Sequence, residues 1–373
     1  MSAQKVLIAT GITGGHFFPA VRFAEKYLEE HPDSEITFVL GRTVSTVVVS
    51  KYLGRFQVKH IPVDPFPVSF SFKLLSFLIN YPRSLFRTWS FLKELKPTVL
   101  VSFGSYSSFP SVLAAWVSGI PIVVHEQNKI SGWANRASAV FARFVAVSFP
   151  DTLGHLPARK VRYLGYPLRS EIRRSVALNS GKDIGGKSRI LVLGGSQGSQ
   201  RLNQAVLEFF SSLSSEEKKR FAVIHIAGDK ELESVKNRYV ALHIENEVSA
   251  FSEQIGELYR RSTLVIARAG AGTIFELAAF GLPGILIPYP HAYAHQSLNA
   301  RCLYKSRACL MIEEKELNAE RLKLEVTTLL SDQNFYQMLS NNVKRFDVLD
   351  SEKNLVNLVK EAAQNSAFTK YGS

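Results

Sequence analysis

The stretch from Ile266 to Pro288 constrains the fold of this chain more than any other. An apolar run, Leu264 to Ile266, leads into Arg268-Ala-Gly-Ala-Gly272 and a helical pattern from Thr273 to Phe280. Gly281-Leu-Pro283 stops that helix, and Ile285 to Ile287 is a second apolar run. Strand, glycine loop, helix and strand in this order make a βαβ unit, with its loop where phosphates or sugars sit. Gly270 and Gly272 permit close backbone approach, and a new helix aims unpaired N–H groups at an anion. Glu276 lies one turn inside, where its carboxylate can accept hydrogen bonds from a diol. A purely local reading stays open beside it: Thr273-x-x-Glu276 has the form of a capping box, and Gly-Leu-Pro is ordinary helix termination.

The same grammar recurs along the chain. Lys5 to Thr10 is an apolar strand that runs into Gly11-Ile-Thr-Gly-Gly-His16. Helical spacing follows from Phe17 to Glu30 (Phe18, Val21, Ala24, Leu28), with Pro19 in the first turn, and Ile36 to Leu40 is the next strand. The loop is neither GxGxxG nor GxxxxGK[ST], which disfavours a dinucleotide enzyme and a P-loop NTPase. Thr98 to Phe103 leads into Gly104-Ser-Tyr-Ser-Ser108 and a helix through Trp116; Ile120 to Val124 ends in His125-Glu-Gln-Asn128. Val161 to Leu164 and Gly165-Tyr-Pro-Leu-Arg169 read as a crossing out of one domain, and Glu171 to Lys187 as polar and partly loop.

A second beginning follows: strand Arg189 to Leu193, loop Gly194-Gly-Ser-Gln-Gly198 and helix Gln200 to Leu213. Ala222 to Ala227 is a further strand, and Phe251 to Arg260 a helix. His291 to Asn299 is another polar cluster, and Glu316 to Phe346 and Glu352 to Ala363 are amphipathic helices. Five glycine-rich or polar loops (11–16, 104–108, 125–128, 194–199 and 268–276) thus follow apolar strands. The fold expected is α/β, with two Rossmann-like domains whose parallel sheets face each other across a cleft that gathers these loops.

Composition narrows the partners. The 373 residues are 46% hydrophobic and 21% charged, as in a folded two-domain protein, and the net charge is +13. Such a charge attracts an anionic partner, yet no block of consecutive Lys/Arg appears, which counts against nucleic acid. The two cysteines, Cys302 and Cys309, have no metal or CxxC spacing, and there is no DxD or other metal-ligand cluster. No charged-then-apolar leader follows Met1, so a reduced, cytosolic setting is expected. Pro97 to Val124 carries no charge over a span long enough for a bilayer, but Gly104, Pro110, Gly119 and Pro121 break it into a buried βαβ unit. Residues 65–93 hold six Phe, one Tyr, one Trp and four basic residues (Lys73, Arg83, Arg87, Lys93) with no acid. That segment suits an anionic membrane surface; the plainer reading is an amphipathic helix pair with its Phe face in the core.

Together these loops resemble the MurG family of GT-B N-acetylglucosaminyltransferases, which transfer N-acetylglucosamine from UDP-N-acetylglucosamine (UDP-GlcNAc) to lipid I in peptidoglycan synthesis. The matching runs are Thr13-Gly-Gly-His16, His125-Glu-Gln-Asn128, Gly194-Gly-Ser-Gln-Gly198, Arg268-Ala-Gly-Ala271 with Glu276, and Gln296 with Asn299, spread over about 290 residues. The resemblance implies an acceptor domain over 1–163, a donor domain over 164–345, and a return of residues 346–373 to the first domain. It implies that Thr13, Gly14 and Gly15 border the sugar and diphosphate, that Asn128 meets the N-acetylglucosamine, and that Arg169 is a binding residue. Ser196 would hold the diphosphate, Ser252 meet the uracil through its backbone, Glu276 hold the ribose diol, and Gln296 lie on the sugar or ribose side. Ala271, Gly272, Thr273, Ile274 and Phe275 would line the donor. Tyr106, Asn135, Asn203, Arg268 and Asn299 match further positions associated with activity.

The reaction implied is a single inverting displacement by the 4-hydroxyl of lipid-linked N-acetylmuramyl-pentapeptide, with no cofactor and no metal. The base is His16, kept neutral at a helix N-terminus, or else Glu126 or His125. The implied setting is the cytoplasmic face of the plasma (inner) membrane, beside other cell-wall synthesis proteins. The sequence departs from the family at Ile12 for glycine, Gly104-Ser-Tyr-Ser for Gly-Gly-Tyr-x, and Ala269 for serine, and Gln296 lacks its usual charged neighbours. These departures bear on sugar contacts and acceptor preference. The rival classes are another GT-B transferase with a lipid acceptor, such as a diacylglycerol glycosyltransferase, a basic nucleic-acid-binding protein, and an NAD-dependent dehydrogenase.

Overall fold

The computed structural model describes residues 4–41, 52–64, 72–178, 186–195, 198–290 and 295–369. The chain forms two compact units, one of Met1–Pro167 with Val348–Ser373 and one of Leu168–Asp347. In the first, seven strands pair in the order β3-β2-β1-β4-β5-β6-β7. They are β1 (Lys5–Thr10), β2 (Glu35–Leu40), β3 (Gln57–His60), β4 (Val99–Ser102), β5 (Ile122–Glu126), β6 (Phe144–Val147) and β7 (Val161–Tyr163). All pairs are parallel, with Lys5 opposite Glu35 and Val6 opposite Val99.

A parallel sheet is covered on both faces, and β1 shows how the sequence supplies this. Val6 and Ile8 pack on one side with Phe17, Phe23 and Tyr27, while Leu7 and Ala9 pack on the other with Leu92, Val112 and Ala115. The first face is completed by the helix Ser351–Thr369, through Leu355, Val356, Leu358, Val359 and Ala362. Ser351 Oγ fixes its start by donating to the Tyr166 carbonyl at 2.7 Å.

The second unit has six parallel strands in the order β10-β9-β8-β11-β12-β13. They are β8 (Ser188–Leu193), β9 (Phe221–Ile226), β10 (Glu245–Ser249), β11 (Leu264–Ala267), β12 (Gly284–Leu286) and β13 (Leu310–Met311). In each sheet the strand order reverses once, beside β1 and β4 in the first and beside β8 and β11 in the second. That reversal opens a crevice at the carboxyl edge, and it is flanked by loops 11–13 and 103–108, and by 194–195, 198–199 and 268–270.

Several boundaries differ from those expected. The first helix begins at Gly14, so Pro19 lies in its interior rather than its first turn. The aromatic segment forms one helix, Phe72–Leu95, with Pro82 inside it; residues 65–71 lie outside the described residues. A short helix, Ser170–Ala177, occupies part of the polar stretch, and the helix expected from Phe251 starts at Ile255. The 316–346 pattern breaks at Asp332, whose carboxylate caps the second helix by accepting from Phe335 N at 2.9 Å. Among the described residues no helix is long and apolar enough to cross a membrane.

Two charged or titratable features sit inside these cores. Arg22 is 6% exposed and bridges the helix Gly14–Glu30 to the C-terminal helix, with Nη1 2.9 Å from Glu29 and Nη2 3.6 Å from Glu352. Removing one partner of a buried pair strands the other charge. Arg22→Ala therefore lowers the unfolding free energy by about 3 kcal/mol, read by urea titration. The joint Arg22→Met, Glu352→Leu variant recovers most of that loss.

His125 and His225 are buried on β5 and β9. Burial pushes His125 down to about 3; the neighbouring His16 adds to this, and the Gly165 carbonyl opposes it. Burial alone pushes His225 down to about 3. Because the folded values lie below the ordinary 6.5, the stability they confer is complete above that pH and is lost as pH falls towards 3. Unfolding free energy at pH 5 is then lower than at pH 7 by up to about 2 kcal/mol per histidine. Paired urea titrations measure this, and His225→Asn flattens the dependence.

Candidate functional site

In the first unit the candidate residues collect where β1 and β4 end. Thr13 is the N-cap of the helix Gly14–Glu30, but its hydroxyl bonds the His16 ring, Oγ1 to Nδ1 at 2.8 Å, rather than a backbone amide. His16 is held again through its own carbonyl, which accepts from Thr10 Oγ1 at 3.0 Å. The β4 loop closes against this turn. A Cβ on Gly104 (φ +90°) would lie 2.9 Å from Asn135 Oδ1 and 3.2 Å from His16 Cδ2, so only glycine fits there. Ser105, which stands where the resemblance expects glycine, also has positive φ, at +82° with ψ 147°. That region belongs essentially to glycine, so this loop holds strain. Tyr106, 40% exposed, follows in a short turn.

The polar run after β5 divides in two. His125 and Glu126 remain in the strand, opposite Ala146 and Val147, and each is 1% exposed. The His125 ring packs beside Phe103 and Tyr166, with Nε2 3.3 Å from Ser148 Oγ. Glu126 shapes the loop beyond it. Oε1 accepts from Asn128 N at 2.9 Å and Nδ2 at 3.3 Å; Oε2 accepts from Gly132 N at 3.0 Å and Asn135 Nδ2 at 2.8 Å. A carboxylate holding four donors is a loop organiser, and it brings Asn128 and Asn135 into place.

In the second unit the loop after β11 delivers Gly270 as N-cap of the helix Ala271–Phe280. The first-turn amides of Ala271, Gly272 and Thr273 have no carbonyl within the helix to bond. Thr273 is thus inside the helix and no capping box forms; Gly270 carries no side-chain cap. Glu276, one turn further in, is engaged elsewhere. Its Oε1 accepts from Arg169 Nη2 at 3.0 Å and its Oε2 from the Tyr259 hydroxyl at 2.9 Å. Gly281, with φ +59°, ends the helix as expected. Ile274 and Phe275 are buried on its inner face.

Arg268 is 5% exposed and ties three loops together. Nη2 donates to Ser199 Oγ at 2.7 Å and Nη1 to the Ile287 carbonyl at 3.3 Å, and Glu314 pairs with the same guanidinium. Asn299, fully buried, donates to the Ala269 carbonyl at 3.3 Å. Gln296 accepts from Tyr289 N at 3.0 Å. Asn203 is buried beneath the loop after β9, donating to the Ala227 carbonyl at 3.0 Å and to Glu231 at 2.6 Å. Ser252 is half-buried in the segment before Ile255. Ser196 and residues 291–294 lie outside the described residues.

Two residues here carry no signal in the sequence. Tyr259 sits in an apolar helical turn and reads as core, while Glu171 reads as a solvated charge. Glu171 Oε1 in fact accepts from Gly256 N at 2.6 Å, and burial raises its pKa despite nearby Arg169. Among the described residues no group of three or more His, Cys, Asp or Glu side chains could hold a metal ion.

Comparison with known proteins agrees with this layout. Residues 6–147 match the glycosyltransferase family 28 N-terminal domain and residues 189–355 its C-terminal domain. A UDP-N-acetylglucosamine–N-acetylmuramyl-(pentapeptide) pyrophosphoryl-undecaprenol N-acetylglucosamine transferase from Anaeromyxobacter sp. (strain Fw109-5) is 36% identical over 88% of this chain and 85% of its own. The protein of the same name from Bacillus pumilus is 30% identical over 96% of this chain and 99% of its own. Among solved structures, Acinetobacter baumannii MurG superposes with a TM-score of 0.75 at 23% identity, covering 96% of this chain and 99% of that one. S. aureus MnaA with UDP shares the fold at a TM-score of 0.66 and 14% identity, covering 96% of this chain and of that one. Both units are Rossmann-like and the fold is GT-B. The chain belongs to the MurG family of UDP-GlcNAc-dependent N-acetylglucosamine transferases.

Proposed function

We propose that the chain moves N-acetylglucosamine from UDP-GlcNAc to the 4-hydroxyl of undecaprenyl-pyrophosphoryl-N-acetylmuramyl-pentapeptide, lipid I, forming lipid II. The observation that carries this reading is the clustering of loop residues at each sheet's switch point, in a chain matched along most of its length by transferases of that name. The acceptor oxygen attacks the anomeric carbon, the bond from that carbon to the diphosphate breaks, and the configuration inverts. UDP departs with the electron pair, and the hydroxyl proton passes to a base.

We assign the base to His16. His16 Nδ1 lies 2.8 Å from Thr13 Oγ1, and in the tautomer that donates this bond from Nδ1–H the basic nitrogen is Nε2. Two considerations favour it over the alternatives. A base works best with a pKa near ambient pH, which argues against His125, and Glu126 already holds four donors. In the donor unit, the charge growing on UDP would be met by the amides at Ala271, Gly272 and Thr273 and in the loop after β8. Glu276 would take the ribose diol, with Arg169, Ser252 and Gln296 nearby in role. Thr13, Gly14, Gly15, Asn128, Tyr106 and Asn135 would serve the sugar and acceptor.

The aromatic helix Phe72–Leu95, with the residues before it, would rest on an anionic membrane surface at the cytoplasmic face. Phe86 is 64% exposed, and Lys93 Nζ lies 3.6 Å from the Trp89 ring centroid, a pairing suited to a headgroup layer.

The direct test is transfer by the purified protein from UDP-GlcNAc to a lipid I analogue, followed by UDP release. Release with another lipid acceptor but none with the analogue would overturn the assignment. His16→Ala is expected to lower kcat by roughly a hundred- to ten-thousand-fold. Glu276→Ala is expected to raise the donor KM by roughly 10- to 100-fold, and an unchanged KM would remove Glu276 from the donor site.

A further inference from the structure

We propose that Tyr259, which lies outside the glycine-rich loops, is a positioning residue for donor recognition: its hydroxyl fixes the Glu276 carboxylate that reads the ribose. The inference rests on the donor role assigned to Glu276 above. A carboxylate recognises a vicinal diol only if its plane and free lone pairs face the two hydroxyls, and a glutamate has three rotatable bonds through which to lose that pose. Here both oxygens are tied from different elements. Arg169, just before the helix Ser170–Ala177, holds Oε1 at 3.0 Å, and Tyr259, in the helix Ile255–Arg260, holds Oε2 at 2.9 Å. Each oxygen keeps a further lone pair, so two hydroxyls can still be accepted.

Tyr259 is suited to hold rather than to be held. Its side chain is fully buried, and its ring stacks on Phe280 at a centroid distance of 5.5 Å and an interplanar angle of 16°. Phe280 stands on the same helix as Glu276, one turn further along, so the ring and the hydroxyl grip that helix at two points. Burial, with the adjacent Glu276 charge, raises the phenol pKa well above 10, so the hydroxyl stays protonated and always donates. Glu171 secures the other side by accepting from Gly256 N, which anchors the start of the helix carrying Tyr259. A residue whose only duty was to fill the core would serve as well with phenylalanine.

The test compares UDP-GlcNAc with its 2′-deoxyribose counterpart as donors, using the full chain. Wild type should transfer from UDP-GlcNAc to a lipid I analogue and discriminate against the deoxy donor; no transfer at all sinks the function assigned above. Transfer without discrimination sinks the ribose role of Glu276, and the role of Tyr259 with it. Given both, Tyr259→Phe should raise KM for UDP-GlcNAc roughly five- to thirtyfold, leave kcat within about twofold, and shrink the preference for the ribose donor. Isothermal titration with UDP should show the same loss of affinity without turnover.

Phe280→Leu serves as the packing control. It removes the stacked ring but keeps the hydroxyl, and should lower Tm while leaving the donor preference intact. Equal loss on both donors in Tyr259→Phe, an unchanged KM, or a Phe280→Leu variant that shifts the preference as far would each overturn the proposal.

Discussion

A parallel sheet whose strand order reverses has one place where neighbouring loops leave the same edge in opposite directions. Everything chemical in this protein depends on that constraint, applied once in each unit. In the first sheet β1 and β4 are neighbours, so the turn that carries Thr13 and His16 lies against the loop that carries Gly104 and Tyr106. In the second, β8 and β11 are neighbours, so Ser199 from one loop meets Arg268 from the other. The crevice results from right-handed crossovers placing helices on both faces of the sheet. Small residues are then required where two loops share it, which explains Gly104 and its near contacts.

How much of this is legible in the sequence follows from which interactions are local. The strands are legible because two-sided burial demands apolar runs, and the loops because glycine and polar clusters interrupt them. Glu276 shows the limit. Thr273-x-x-Glu276 has the form of a capping box, but the helix starts at Ala271 and the carboxylate is drawn to Arg169 and Tyr259, 107 and 17 residues away. Local spacing cannot reveal partners chosen by tertiary contact. His125 and Glu126 make the same point from the other side. Four polar residues in a row read as a loop, yet backbone pairing with β6 keeps the first two in the sheet and buries them.

The buried polar residues share a common logic. A buried charge or amide persists only if most of its bonding capacity is met, so each one marks a place where loop geometry is fixed from beneath. Glu126 fixes the loop that bears Asn128, Arg268 fixes the loops after β8, β11 and β12, and Asn203 fixes the loop after β9. The resemblance implies that these residues fall on family positions associated with activity, yet the partners seen for them are the protein's own groups. Such a match therefore does not by itself imply substrate contact. A residue can be indispensable by holding the backbone that makes the contact.

That distinction bears on the division of labour at Glu276. Left alone, a carboxylate beside a buried tyrosine and an arginine would simply pair with the arginine, and a bound diol would have to compete for it. Two fixed donors change the competition. The carboxylate is held from both sides in the absence of any donor, so binding at it would recover hydrogen bonds without first ordering the side chain. The same pair excludes poses that turn the free lone pairs away from the crevice. On the ribose role proposed for Glu276, selectivity for a ribose over a deoxyribose would come from a carboxylate with few other ways to satisfy its remaining lone pairs, the condition under which a missing hydroxyl is costly.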